Sequence, residues 1–239
     1  MKETLTQTEE NTFEKPILTV DVAYLSIRDG ELELLTIKRD KAPHKGELAL
    51  PGGYVHCNED ENLSETARRV IAEKTQLEPD YIEQVETIAS KSRDPRGWTA
   101  TVLFLALVSS SNHKNNNNGG DEKLGKDCQW MALNSLKRKS LAFDHDELLK
   151  KVKERLIAKS RYTSIPLYLL PKEFTLSEAQ KYFEITTQST LEKKSFRRRL
   201  LDADIVEETG EQTQTGKRKA ALFRMKETSD IHFFPRMIG

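Results

Sequence analysis

The chain is poor in cysteine, shows no excess of either charge and contains no long apolar run, and each shortage removes a class of protein. Its 239 residues hold only Cys57 and Cys128, too few for a disulfide framework and not in a paired zinc spacing. A reducing compartment is therefore expected, and neither thiol has a claim to function. The 38 Lys and Arg are matched by 38 Asp and Glu, so net charge says nothing about a nucleic-acid partner, and only a local concentration of cations can. No stretch approaches the length needed to span a bilayer, and the opening MKETLTQTEENTFEKP lacks the basic-then-apolar order of a signal peptide. The expectation is a soluble, cytoplasmic protein with no membrane partner. No internal repeat is visible.

What is present suits a domain of moderate size plus a small appendix. Ile17 to Ile27 and Leu32 to Lys38 are rich in β-branched and apolar residues around the turn signal Arg28-Asp29-Gly30, which predicts a hairpin. Pro51-Gly52-Gly53 breaks the chain after Leu48-Ala49-Leu50, and Leu63, Ala67, Val70, Ile71 and Leu77 then recur at helical spacing. Thr99 to Val108, TATVLFLALV, predicts a strand buried on both faces. SSSNHKNNNNGGDEKLGKD reads as an exposed loop. Leu148, Leu149, Val152 and Leu156 predict an amphipathic helix over Asp144 to Ser160. Ile165-Pro166 and Leu170-Pro171 punctuate the chain just after that helix, which sets a domain boundary near residue 163.

From Gly52 to Leu77 the chain reads GGYVHCNEDENLSETARRVIAEKTQL and resembles the Nudix box: Gly, five residues, Glu, seven residues, then Arg-Glu-apolar-x-Glu-Glu-x-Gly-apolar. The preceding LALPGG, the later RDPRGW and LAFDHDELL are similar to the branch of Nudix proteins that handles ADP-ribose and related compounds. The resemblance covers most of residues 15 to 160 and implies an α/β (α+β) Nudix-like sandwich with a mixed sheet. In such a box, carboxylates at helix positions i, i+3 and i+4 share one face, where they can hold Mg²⁺ against a pyrophosphate and activate water. Aligning Arg69 with the box arginine puts Val70 at the next Glu, keeps Glu73, puts Lys74 at the second Glu of the pair and Gln76 at the terminal glycine. Glu61 lies seven residues before Arg69 but too far from Gly53, whereas Glu59 fits Gly53 and misses Arg69. One carboxylate facing an apolar residue and an ammonium is a poor metal site, so no metal, no cofactor and no hydrolysis are expected.

Such a pocket can still bind, because Lys and Arg replace metals as partners for phosphate. The candidate ligand contacts are Arg39, Tyr54 beside the Gly-Gly turn, Glu61, Arg69 and Glu73 of the box, and Arg93, Arg96 and Trp98 of RDPRGW. Arg69 is the natural tether for Glu61. The plainer alternatives are a solvated helix face for the box residues, an ion pair near Asp94 for Arg93, and an ordinary core position for Trp98.

Beyond residue 163, Thr175 to Glu178 and Ser189 to Glu192 each fit a capping box. One predicted helix carries Leu176, Ala179 and Phe183 and ends in ITTQS; the next carries Phe196, Leu200 and Ala203. A strand over Ile205 to Thr209, a polar loop over Gly210 to Gly216 and a strand over Ala220 to Lys226 complete the order of a winged helix. Residues 190 to 226 hold ten Lys or Arg against six Asp or Glu. The DNA-contacting candidates are Lys193, Lys194, Arg197, Arg198 and Arg199 on the second helix and Lys217, Arg218 and Lys219 on the wing. Arginines there suit guanine, and wing lysines suit backbone phosphate. A basic helix is also, commonly, just a solvated face.

A Nudix-like domain over residues 14–162 followed by a winged helix-turn-helix domain over residues 163–239, with FTLSEAQKYFE, EKKSFRRRLLDADIVE and a wing, resembles the Nudix-related transcriptional regulators of NAD metabolism. That resemblance implies a homodimeric repressor that binds palindromic operator DNA upstream of NAD biosynthesis genes and is released by ADP-ribose. Two competitors stay open. One is an active Nudix pyrophosphatase with an accessory nucleic-acid-binding domain, its metal site rebuilt from Glu59, Glu61 or carboxylates of other loops. The other is an interaction module whose winged helix binds protein.

Overall fold

The computed structural model describes residues 15–109, 124–136, 140–216, 218–227 and 230–238. Most of the Asn-rich segment, residue 14 and Lys217 lie outside these. The first strands, β1 (Ile17–Arg28) and β2 (Glu31–Lys38), form the expected hairpin. Its turn places Asp29 at φ 49° and Gly30 at φ 82°, the left-handed pair that a two-residue hairpin loop demands. Next come β3 (Leu48–Ala49), β4 (Gly52–Tyr54), α1 (Leu63–Thr75), β5 (Tyr81–Ser90), β6 (Thr99–Leu107), β7 (Cys128–Ala132) and α2 (His145–Ser160). The sheet runs β3-β2-β1-β6-β5, with β4 added to β1 and β7 to β2. It is mixed, because β1 and β6 are parallel while their other partners are antiparallel.

Alternation along a strand decides which helix each residue meets. Val20, Val22 and Tyr24 of β1, with Val102 and Phe104 of β6, pack beneath Ala67, Val70 and Ile71 of α1. Their neighbours Ala23, Leu25, Ile27, Leu103 and Leu105 pack beneath Leu148, Val152 and Leu156 of α2. The two-faced burial of TATVLFLALV follows from this position inside the sheet. Helix α1 stops at Thr75, short of Leu77, because Gln76 turns left-handed at φ 59° while its N–H still reaches the Ala72 carbonyl. Gln76 thus adopts the backbone shape for which the box reserves a glycine.

The C-terminal part holds α3 (Leu176–Thr187), α4 (Lys193–Asp202), β8 (Val206–Thr215) and β9 (Arg218–Met225). Helix α3 opens on the expected box of Thr175 and Glu178. Two expectations are corrected. Helix α4 does not start after Ser189; its cap is Glu192, whose carboxylate accepts the N–H groups of Lys194 and Ser195, so Glu192 closes the helix end by itself. The supposed polar loop over Gly210 to Gly216 is instead most of β8, which continues past an irregularity between Glu208 and Gln212 and turns only at Gly216. Gly210, Glu211, Gln212 and Gln214 of this stretch are exposed, so it has no face to pack and its sequence carries no apolar alternation to betray it.

Between the two parts a 3-10 turn, Ile165–Leu169, serves both cores. Ile165 and Leu169 pack with the sheet and α2, whereas Leu167 and Leu170 pack with Phe174, Phe183 and Phe196. Tyr182 and Ile185 of α3 also lean on the first core. The tail returns to this joint: Thr163 bridges Phe233, Phe234 N–H donates to Tyr162 at 2.8 Å, and Phe234 and Ile238 are buried in the second core. Among the described residues no helix is long and apolar enough to cross a membrane.

Candidate anion pocket and nucleic-acid interface

A cavity of about 620 Å³ opens between β1, the loop after β2, the Gly52-Gly53 turn, α1 and the loop before α2. Six cations, Arg39, Lys41, Arg69, Lys74, Arg93 and Arg96, line it against the carboxylates of Asp21, Asp40, Glu73 and Asp94. The two glycines are needed for closure. A Cβ at Gly52 would stand 2.2 Å from Asp21 Oδ1, and one at Gly53 would stand 2.8 Å from Val70 Cγ2.

The floor is a buried charge network drawn from distant parts of the chain. Arg93 donates from Nε and Nη2 to Asp144, each at 3.0 Å, and from Nη2 to Asp21 at 3.2 Å. His145 accepts the Leu50 N–H at Nδ1, 2.9 Å away, which leaves Nε2 as the protonated nitrogen facing Asp21 Oδ1 at 3.5 Å. Burial lowers the pKa of His145 while Asp21 and Asp144 oppose the shift. Arg93 therefore pairs across the fold, and it is Arg96 that pairs with Asp94, with Nη2 at 2.6 Å.

On α1 the expected tether is replaced. Arg69 holds Asp60, not Glu61, through two bonds of 2.7 Å; it also donates to the Tyr54 carbonyl at 3.0 Å and to Glu73 at 3.4 Å. The Arg69 guanidinium holds the Asp60 carboxyl well below the usual carboxylate range. Counting by the box fails here because Asn62 caps α1 and the loop before it curls back, with the His56 N–H donating to Asp60. Glu61 is exposed and does not line the cavity. Val70 is buried against Gly53, and the Lys74 ammonium donates to the Gly52 carbonyl. Desolvation of the ammonium within the cavity lowers the pKa of Lys74, although the residue as a whole is exposed, with Asp21 opposing and Arg39 adding to the shift.

The outer wall is aromatic and cationic. Phe143, at φ 57°, lies 4.6 Å from Arg39 and 5.8 Å from Arg96. Arg96 also lies 5.7 Å from the Tyr54 ring and donates to its hydroxyl at 2.7 Å. Of the sequence candidates, Arg39, Tyr54, Arg69, Glu73, Arg93 and Arg96 line the cavity. Trp98 does not; it is 48% exposed and is no core residue. Sequence reading misses Asp21, Asp60, Phe143 and His145. The one signal for Asp21 is a carboxylate in the middle of a strand that is otherwise apolar.

In the winged helix, Lys193, Lys194 and Arg198 of α4 are exposed, as are Arg218 and Lys219 of the wing. Arg197 donates to the Ser177 hydroxyl at 3.0 Å, and Arg199 donates to the Met237 carbonyl, so Arg199 serves the tail. Arg197, Arg218 and Lys219 line a groove of about 470 Å³ beside the start of α3.

Comparison with known proteins places both halves. A family model for the NUDIX domain matches residues 17–152, and one for the NrtR DNA-binding winged helix domain matches residues 166–225. The ADPR responsive transcriptional repressor NtrR of Acinetobacter baylyi is 40% identical over 98% of this chain and 92% of its own. The crystal structure of Shewanella oneidensis NrtR complexed with a 27mer DNA has a TM-score of 0.81 and 34% identity, covering 93% of this chain and 99% of that one. The NUDIX domain of the same protein, complexed with ADP ribose, matches at a TM-score of 0.54 and 35% identity over 65% of this chain and 99% of its own. The chain therefore belongs to the Nudix family, in the group whose Nudix domain is followed by an NrtR DNA-binding winged helix domain.

Proposed function

We propose that this protein is an ADP-ribose-responsive transcriptional repressor of NAD biosynthesis genes: its winged helix holds operator DNA, and ADP-ribose in the cationic cavity releases it. The observation that carries this reading is the apolar joint, where a cation-rich cavity and a basic winged helix share one 3-10 turn and a returning tail. Release demands that the ligand favour a conformation that binds DNA poorly, since equal affinity for both states shifts nothing. A joint packed into both cores is a route by which closure around a ligand can reorient α4.

Arg39, Tyr54, Arg69, Glu73 and Arg96 are the ligand contacts in this reading, with Arg93 holding the floor. Lys193, Lys194, Arg197, Arg198, Arg218 and Lys219 face DNA, with Lys217, which lies outside the described residues, as a further wing cation. The protein acts as a homodimer, each winged helix taking one half of a palindrome. It is a sensor and no hydrolase. A catalytic Mg²⁺ pair does not fit the residues present: in the box alignment Val70 and Lys74 stand where two carboxylates belong, and the Lys74 ammonium reaches the Gly52 carbonyl beside Glu73.

A gel shift with DNA upstream of NAD biosynthesis genes, with and without ADP-ribose, tests the reading beside a hydrolysis assay in Mg²⁺. Retardation that ADP-ribose relieves, with no turnover, is expected. Metal-dependent cleavage of ADP-ribose, or operator affinity unchanged by bound ADP-ribose, would overturn it.

A further inference from the structure

We infer that Lys74 replaces the missing divalent ion as the ligand of the effector's pyrophosphate, so that a nucleoside diphosphate binds in this cavity without any metal. This deepens the reading of the cavity as the effector site and rests on it.

Lys74 stands out once the commitments of the four arginines are set beside it, Lys41 being an exposed lysine of the loop after β2. Arg69 is committed to Asp60 and the Tyr54 carbonyl, Arg93 to Asp21 and Asp144, and Arg96 to Asp94. Arg39 donates to the Pro43 carbonyl at 2.9 Å and stands over Phe143. Lys74 differs. It rises from the last turn of α1, its ammonium reaches across to the Gly52 carbonyl, and that contact is with a neutral oxygen, so no paired carboxylate cancels its charge there. An ammonium carries three donors; with one directed at Gly52, two remain for phosphate oxygens.

The same geometry argues against a metal beside it. Asp21, Glu73 and Asp94 each already accept from an arginine, which leaves Asp40 as the one wall carboxylate, among the described residues, without such a bond. A divalent ion brought to the Gly52 carbonyl would have to displace the ammonium, which repels it. A fixed side-chain cation also needs no coordination sphere, and two phosphate oxygens with one carbonyl complete its hydrogen bonds. Desolvation disfavours the charged ammonium and Arg39 adds to this, while Asp21, Asp40 and Glu73 oppose it at longer range.

The test is calorimetric titration of the full chain with ADP-ribose, in EDTA and in Mg²⁺, for the wild type, Lys74→Met and Lys74→Arg. Inorganic pyrophosphate serves as a competing probe, and circular dichroism checks that each variant is folded. Equal wild-type affinity in the two buffers is expected. Lys74→Met should lose about tenfold or more, the scale of one charge-assisted hydrogen bond, and Lys74→Arg should recover part of it. Pyrophosphate should compete with ADP-ribose on the wild type and much less on Lys74→Met. ADP-ribose binding that EDTA abolishes would overturn the inference and leave the effector reading standing, as would unchanged affinity in folded Lys74→Met. No ADP-ribose binding in either buffer would overturn the effector reading itself.

Discussion

At Arg69 three elements meet: the carboxylate of Asp60 from the loop, the carbonyl of Tyr54 from β4 and the carboxylate of Glu73 one turn on in α1. Folding depresses the pKa of Asp60, so the pair adds stability wherever the unfolded carboxyl is ionised, above about pH 4, and that stability drains away as the pH falls further. Asp60→Asn should therefore lower the urea midpoint at about pH 7, with the gap to wild type narrowing at about pH 3. A gap that widens on acidification would contradict the assignment. This pairing is invisible to box counting, which carries a spacing through a loop whose path it cannot know. The floor is hidden for another reason: Asp21, Arg93 and His145 belong to different elements, and only tertiary folding joins them. By contrast Tyr54 and Arg96 are legible because short motifs, the Gly-Gly turn and RDPRGW, carry them to one wall.

Elements with one strong periodicity read cleanly from the chain. α1 and α2 repeat their apolar residues at helical spacing, and β1 and β6 are apolar runs buried on both faces, because each packs against continuous neighbours. β5 and β7 do not. β5 is an edge strand carrying Glu83 and Glu86, which meet Arg155 and Lys151 of α2, and charge on an edge masks its alternation. The capping box of α3 is legible because it is local chemistry, and Thr175→Ala should cost about 1 kcal/mol of stability in urea denaturation. On α4 the cations divide by what holds them. Neutralising Lys193 or Lys194, or Lys219 on the wing, should lower the slope of log affinity against log salt by about one each. Arg198→Ala should instead relax sequence preference. Arg199→Ala should leave the slope nearly unchanged, because its guanidinium is already bonded to the tail carbonyl of Met237. A full unit lost with Arg199 would show that it reaches phosphate.

The two halves of the molecule are stitched by the turn at Ile165–Leu169 and by a tail whose Phe234 and Ile238 are buried. Burial on both sides of the joint predicts one cooperative transition in calorimetry. Leu167→Ala, a large-to-small change at a residue 3% exposed, should lower stability by about 2–5 kcal/mol. It should shift the whole transition; two resolved transitions in the wild type would show independent halves. Proline punctuation makes the joint visible in sequence, but its double membership arises only when both cores exist. The same double membership bears on modular exchange. A chimera cut at residue 163 would hand Ile165 and Leu169 to a foreign sensor and strand the strap formed by Thr163 and Phe233. A recombinant regulator with a new effector specificity would instead have to carry the turn and the tail as one inherited piece.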